Sequence, residues 1–243
     1  MKNNYSNHLH AKNITVNFGG VLALDHVDLI VNSEEVLGLI GPNGSGKTTL
    51  FNVISGFISP NSGNIIIDDL DITYWPAYKR SRNGIVRTFQ DVRLFQHLTV
   101  FENILAGALG NGYSRREADK RTQEILELMD LQTIQSVATQ ILPPGFQRRI
   151  AIARAIATLP NFLLLDEPGA GLNEAEIDEL ITVLKMIRTH NKCSLLIVEH
   201  DMRLIMNICD RIQVLDSGRT IALGSPLEIQ NNPQVVEAYL GEA

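Results

Sequence analysis

Apolar and polar positions along the chain follow two rhythms, and their order predicts a fold. Residues 14–18 (ITVNF) and 26–31 (HVDLIV) alternate with a period of two and suggest a small antiparallel sheet. Residues 35–40 (EVLGLI) form a continuous apolar run of strand length, the pattern of a strand covered on both faces. A glycine-rich turn follows, then a helix from Lys47 to about Ser55, which Gly56 is placed to end. SPNSG (59–63) reads as a turn and NIIID (64–68) as another strand.

The rhythm changes over residues 91–158, which read as a mostly helical insert. Ser114 and Glu117 form a capping box ahead of a helix that places Ile125, Leu128 and Met129 on one face. Further on, QRRIAIARAIA has helical spacing from Gln147, but Pro143 and Pro144 stand where a hydroxyl would normally cap the first N–H groups. Strands resume at 162–167 (FLLLDE), 194–200 (SLLIVEH) and 211–216 (RIQVLD), with a helix between the first two capped by Asn173 and Glu176. Alternating strands and helices imply a largely parallel sheet with helices on both faces. The expected fold is α/β, a mostly parallel core with a small antiparallel β subdomain and a helical insert.

Composition narrows the classes. The 243 residues are 44% apolar and 20% charged, ordinary for a globular chain with ample core. Lysine and arginine number 21 against 27 acidic residues, a formal charge of −6, and no basic block exceeds two residues. The footprint of nucleic-acid binding is therefore absent. Cys193 and Cys209, in apolar surroundings, read as reduced core thiols. The polar N-terminus holds no apolar segment of a signal peptide, and no run approaches the length that spans a bilayer, so a membrane role would come through a partner.

The chemistry begins at residues 41–49, GPNGSGKTT, which fits G-x-x-x-x-G-K-[ST] between a buried strand and a helix. Gly41, Pro42, Asn43, Gly44, Ser45 and Gly46 would turn backbone N–H groups around phosphate oxygens. Lys47 would reach the β- and γ-phosphates, Thr48 would bind Mg²⁺, and Thr49 continues the loop into the helix. FLLLDEP ends a buried strand with two acids: Asp166 suits a Mg²⁺ role and Glu167 suits polarising an attacking water. Gln90 and His200 carry weak signals alone, one reading as a surface residue and the other as a structural strand-end histidine.

The order GPNGSGKTT, TFQ, LPPGFQRR, FLLLDEP, GAGLN and VEHD resembles the ATPase subunit of an ABC transporter, a P-loop NTPase, across nearly the whole chain. Within that family, residues 87–107 and the C-terminal EIQNNPQVVEAYLGE are similar to the branched-chain amino-acid (and related urea and amide) importers. GAGLN suits that group better than a serine-led version. The resemblance implies ATP and Mg²⁺, with Phe18 stacking on adenine; without it, Phe18 reads as a phenylalanine packed in the small sheet. It makes Gln90 the Mg²⁺ and water contact at the hinge to the insert, and His200 the residue that hydrogen-bonds the γ-phosphate. It makes residues 169–173 a loop that crosses between two subunits. Residues 1–243 would form one ABC ATPase domain, with 91–158 as its helical subdomain.

In such ATPases each ATP lies between one chain's phosphate loop and the other's signature turn, which begins Leu-Ser-x-Gly-Gln. Here that turn is degenerate: Leu142, Pro143, Pro144, Gly145, Phe146, with Gln147 one place later. A hydroxyl and two N–H donors are lost while Lys47, Asp166, Glu167 and His200 remain. The expected assembly is thus a heterodimer with a second ATPase subunit, one site competent and one weak. The implied partners are integral-membrane permease subunits and, indirectly, an extracytoplasmic solute-binding protein, without nucleic acid. The implied location is peripheral, on the cytoplasmic face of the inner membrane. A nucleotide-binding regulatory subunit of little turnover and a non-transport ABC ATPase are the alternatives. Branched-chain amino acids are the favoured cargo, with urea and short amides open.

Overall fold

The computed structural model describes residues 8–240. Residues 1–7, most of the polar stretch read as lacking a signal peptide, and 241–243, the end of the C-terminal motif, lie outside the described residues. Strands β1 (His8–Phe18) and β2 (Val21–Asn32) pair antiparallel through a two-residue turn in which Gly19 and Gly20 both have positive φ, as a type I′ hairpin requires. β3 (Val36–Ile40) is buried throughout, and α1 (Lys47–Ser55) follows it, closed by left-handed Gly56. β4 (Ser62–Ile67) and β5 (Leu70–Asp71) complete a four-stranded antiparallel sheet ordered β2-β1-β4-β5.

After α2 (Ala77–Arg82) and the short β6 (Ile85–Arg87) come three helices, α3 (Val100–Gly110), α4 (Arg115–Leu128) and α5 (Pro144–Ile156). The Ser114–Glu117 box is formed at the start of α4. α5 opens three residues before the periodic stretch at Gln147: proline at a first helical position needs no N–H partner, and the Gln147 N–H reaches the Pro143 carbonyl at 3.1 Å. Then follow β7 (Phe162–Asp166), α6 (Glu174–Asn191), β8 (Ser194–Val198), α7 (Met202–Ile208), β9 (Arg211–Asp216), β10 (Arg219–Gly224), α8 (Pro226–Gln230) and α9 (Pro233–Leu240).

The six-stranded sheet runs β10-β9-β3-β8-β7-β6, parallel except for β10. Alternate residues of its central strands feed two cores. Val36, Ile40, Leu163, Leu165, Leu195 and Ile197 pack with the helices α3 to α7. Leu37, Leu39, Phe162, Leu164, Leu196 and Val198 pack with α1 and the antiparallel sheet. The expectation of helices on both faces is therefore met in a modified form, since one face is shared by α1 and the small sheet. Cys193 and Cys209 are buried and unpaired, and burial pushes each thiol up to about 12.

Candidate functional site

Because β3, β6, β7 and β8 run parallel, their C-terminal ends emerge along one edge of the sheet, where ligands of open α/β sheets bind. From that edge β3 delivers the glycine-rich loop, β6 leads to Gln90, β7 ends in Asp166 and Glu167, and β8 leads to Glu199 and His200.

The loop is built to hold an anion. Gly41, Gly44 and Gly46 take positive φ, and α1 starts after Gly46 with no side-chain acceptor on its first turn. Ser45 Oγ is buried and, among the described residues, has no hydrogen-bond partner, an expensive arrangement that a phosphate oxygen would relieve. The buried Lys47 folds back, its Nζ donating to the carbonyls of Gly41 and Pro42 at 2.7 Å each. Asn43, Thr48 and Gly44 face solvent and Thr49 is half-buried. Phe18, exposed at the hairpin tip, belongs to the strand pair whose Ala23 carbonyl packs on Gly46.

Three of the residues from separate segments meet. The Glu167 carboxylate accepts the Gln90 Nε2 amide on Oε2 at 2.7 Å, and its Oε1 lies 3.1 Å from His200 Nε2. Glu167 itself sits in the left-handed region (φ 47), uncommon for a residue with a side chain, and its N–H bonds the Val198 carbonyl. Gly145 and Gln147 are not part of this cluster. Gly145 packs on Glu176, and the Gln147 side chain donates to the Leu142 carbonyl at 2.9 Å.

Sequence reasoning passed over three residues here. Arg87 ion-pairs with Asp166, Nη2 to Oδ2 at 2.6 Å with both side chains nearly buried, and its Nη1 holds Asn52 and Ser55 of α1. A lone arginine inside the apolar GIVRTF stretch was the available signal. Arg148 of α5 donates to the carbonyls of Glu167 and Ala170, and burial lowers its pKa. Glu199 is a buried carboxylate, raised above the ordinary range by burial, that accepts backbone N–H groups.

A glycine-rich loop leading from a parallel strand into a helix, with a hydrogen-bonded carboxylate on the same sheet edge, is the arrangement of a P-loop nucleoside triphosphatase. The family model described as ABC transporter matches residues 24–170, and a second, described as branched-chain amino acid ATP-binding cassette transporter, matches 219–243. The chain belongs to the ABC transporter family, as one of its ATP-hydrolysing subunits. It is 41% identical to the high-affinity branched-chain amino acid transport ATP-binding protein BraF of Pseudomonas aeruginosa, over 97% of this chain and 98% of that protein. It is 42% identical, with the same coverage, to the protein of like description, LivG, of Escherichia coli K12. Among solved structures, the ADP conformation of the ATP-binding cassette MJ1267 superposes with a TM-score of 0.87 at 31% identity, over 97% of this chain and 99% of that one. Subunits of this family are membrane-associated and work with membrane permease components. Among the described residues no helix is long and apolar enough to cross a membrane.

Proposed function

We propose that this chain hydrolyses ATP on the cytoplasmic face of the inner membrane to drive uptake of branched-chain amino acids. It acts as one of two different ATPase subunits beneath the permease, with a solute-binding protein delivering cargo outside. The C-terminal segment and the names of the relatives support the cargo. The bracketing of Glu167 by Gln90 and His200, residues 77 and 33 positions away, is the observation that carries the chemistry.

In this reading the loop N–H groups and Ser45 Oγ hold the phosphates, and Lys47 exchanges the Gly41 and Pro42 carbonyls for the β- and γ-phosphates. Phe18 stacks on the adenine. Glu167 takes the proton of the attacking water, His200 hydrogen-bonds the γ-phosphate, and Gln90 keeps the carboxylate aimed. Mg²⁺ fits the donors present: the Thr48 hydroxyl, the Gln90 amide oxygen and the Asp166 carboxylate are hard oxygen ligands, few enough to leave room for phosphate oxygens. When bound, it neutralises phosphate charge. Gly145 and Gln147 face the nucleotide of the second subunit.

The helical subdomain, 91–158, moves about Gln90. A cleft of about 330 Å³, lined by Arg82, Phe89, Phe95, Gly107 and Arg154 among others, lies between core and insert, where a permease helix would seat. Glu167→Gln tests the chemistry. In the assembled transporter it should retain ATP while turnover falls by about 10²-fold or more. Undiminished turnover would end this reading.

A further inference from the structure

Glu199 follows the last residue of β8 and is 3% exposed. Its Oε1 accepts the Gly169 N–H at 2.5 Å and its Oε2 accepts the His200 N–H at 2.7 Å. Gly169 lies two residues beyond Glu167, and His200 is the next residue in the chain. One carboxylate thus joins the backbone that carries Glu167 to the backbone that carries His200. These are the two side chains that meet 3.1 Å apart.

The seat for this carboxylate exists because residue 169 has no side chain. A Cβ there would lie 2.5 Å from Glu199 Oε1 and 2.8 Å from Ile177 Cδ1. Backbone N–H donors are well suited to hold a buried anion. Burial and the nearby Glu167 carboxylate push the Glu199 pKa up, while the backbone N–H groups pull against them. Arg148 holds the opposite side of the same loop through the Glu167 and Ala170 carbonyls, and its charge lies near Glu199.

We propose that Glu199 is a positioning residue for hydrolysis, setting Glu167 against His200 through the Gly169 and His200 N–H groups, and that Gly169 is matched to it by leaving the space it fills. This rests on the roles proposed for Glu167 and His200. Glu199 contacts neither of the side chains it aligns through their reacting atoms, so its loss acts on the chemical step and leaves nucleotide binding alone.

The test uses the assembled transporter, with kcat and KM for ATP measured separately and ATP retention as a second readout. Glu199→Gln keeps the shape but turns an NH₂ toward one N–H donor. It should lower kcat by roughly ten- to a hundredfold, the scale of a misplaced catalytic group, with KM and retention unchanged. Gly169→Ala keeps the carboxylate but displaces it, and should lower kcat likewise. Combined with Glu199→Ala, the added methyl should cost only the adjustment of the Ile177 side chain it meets, well short of the loss in Gly169→Ala alone, because both changes remove one shared interaction.

Wild-type kcat in both Glu199→Gln and Gly169→Ala overturns the proposal. So do losses that multiply in the double variant, or a fall in ATP retention alongside kcat, which marks a merely structural role. If Glu199→Ala does not fold, the two milder variants carry the comparison. Glu167→Gln in the same assay separates the two levels: if it too turns over normally, the underlying roles fail, and if it alone is silent, the failure belongs to Glu199.

Discussion

Arg80 illustrates what one buried side chain holds in place. It is 1% exposed beneath the end of α1, where its guanidinium donates to the carbonyls of Val53, Ile54, Thr73 and Trp75. Two of these belong to the last turn of α1, whose carbonyls have no partner within the helix. Burial lowers the Arg80 pKa to about 10, so it stays charged near neutrality. A lysine could not reproduce the fork, because its donors radiate from one nitrogen. Arg80→Lys should therefore cost about 3 kcal/mol, the scale of stranding one or two buried acceptors, measured by urea unfolding. Arg87 follows the same logic on the other side of α1, where its removal would leave Asp166 as a nearly buried, unpaired charge.

At the scale of elements, helix starts range from complete capping boxes, through the single Asp201 cap of α7, to none. α3, α4, α6 and α8 open with complete capping boxes, Thr99–Glu102, Ser114–Glu117, Asn173–Glu176 and Ser225–Glu228. α5 opens on Pro143 and Pro144 with no side-chain cap. The boxes of α3, α4 and α8 leave a titration signature. The Ser114 hydroxyl and N–H hold the Glu117 carboxyl below its ordinary 4.5, and Thr99 and Ser225 do the same for Glu102 and Glu228. A carboxyl whose folded pKa is depressed stabilises the fold above its unfolded value, and that contribution is lost as pH falls through the folded value. Glu117→Gln should thus lower the melting temperature at pH 7. The gap to the unaltered chain should close as acidification takes pH below the depressed value.

At the scale of the whole molecule, this chain holds the phosphate loop and the Glu167 cluster on one sheet edge, while the turn it would offer a second subunit lacks a hydroxyl. The heterodimer proposal follows from that division: a partner with an intact turn would complete the site built on Lys47, and this chain would complete the partner's site poorly. Pro143→Ser restores a hydroxyl donor at the start of α5. A hydrogen bond to a charged group is worth about 1.5–3 kcal/mol. ATP turnover of the reconstituted transporter should then rise, by about tenfold if the weak site limits the cycle. Unchanged turnover would mean that Gly145 and the helix dipole already suffice.

Local pattern was enough to read β3, β7 and β8, because strands covered on both faces must be apolar throughout, and enough to place the phosphate loop, whose chemistry is contiguous. It was also enough for the Ser114–Glu117 and Asn173–Glu176 boxes, which span four residues, though Thr99–Glu102 and Ser225–Glu228 were passed over. β6, three residues of which one is Arg87, carries no period to detect, and its strand character comes from pairing with β7. Periodicity marks α5 only from Gln147, where apolar positions begin to recur, although the proline pair already pointed to its opening turn. Gln90 and His200 were ambiguous in isolation, and Arg87, Arg148 and Glu199 went unnoticed. Each acquires its role from a partner 19 to 79 residues away. Residue patterns encode which faces are buried; strand order and shared sheet edges bring distant side chains within hydrogen-bonding reach, and only the packed fold sets those distances.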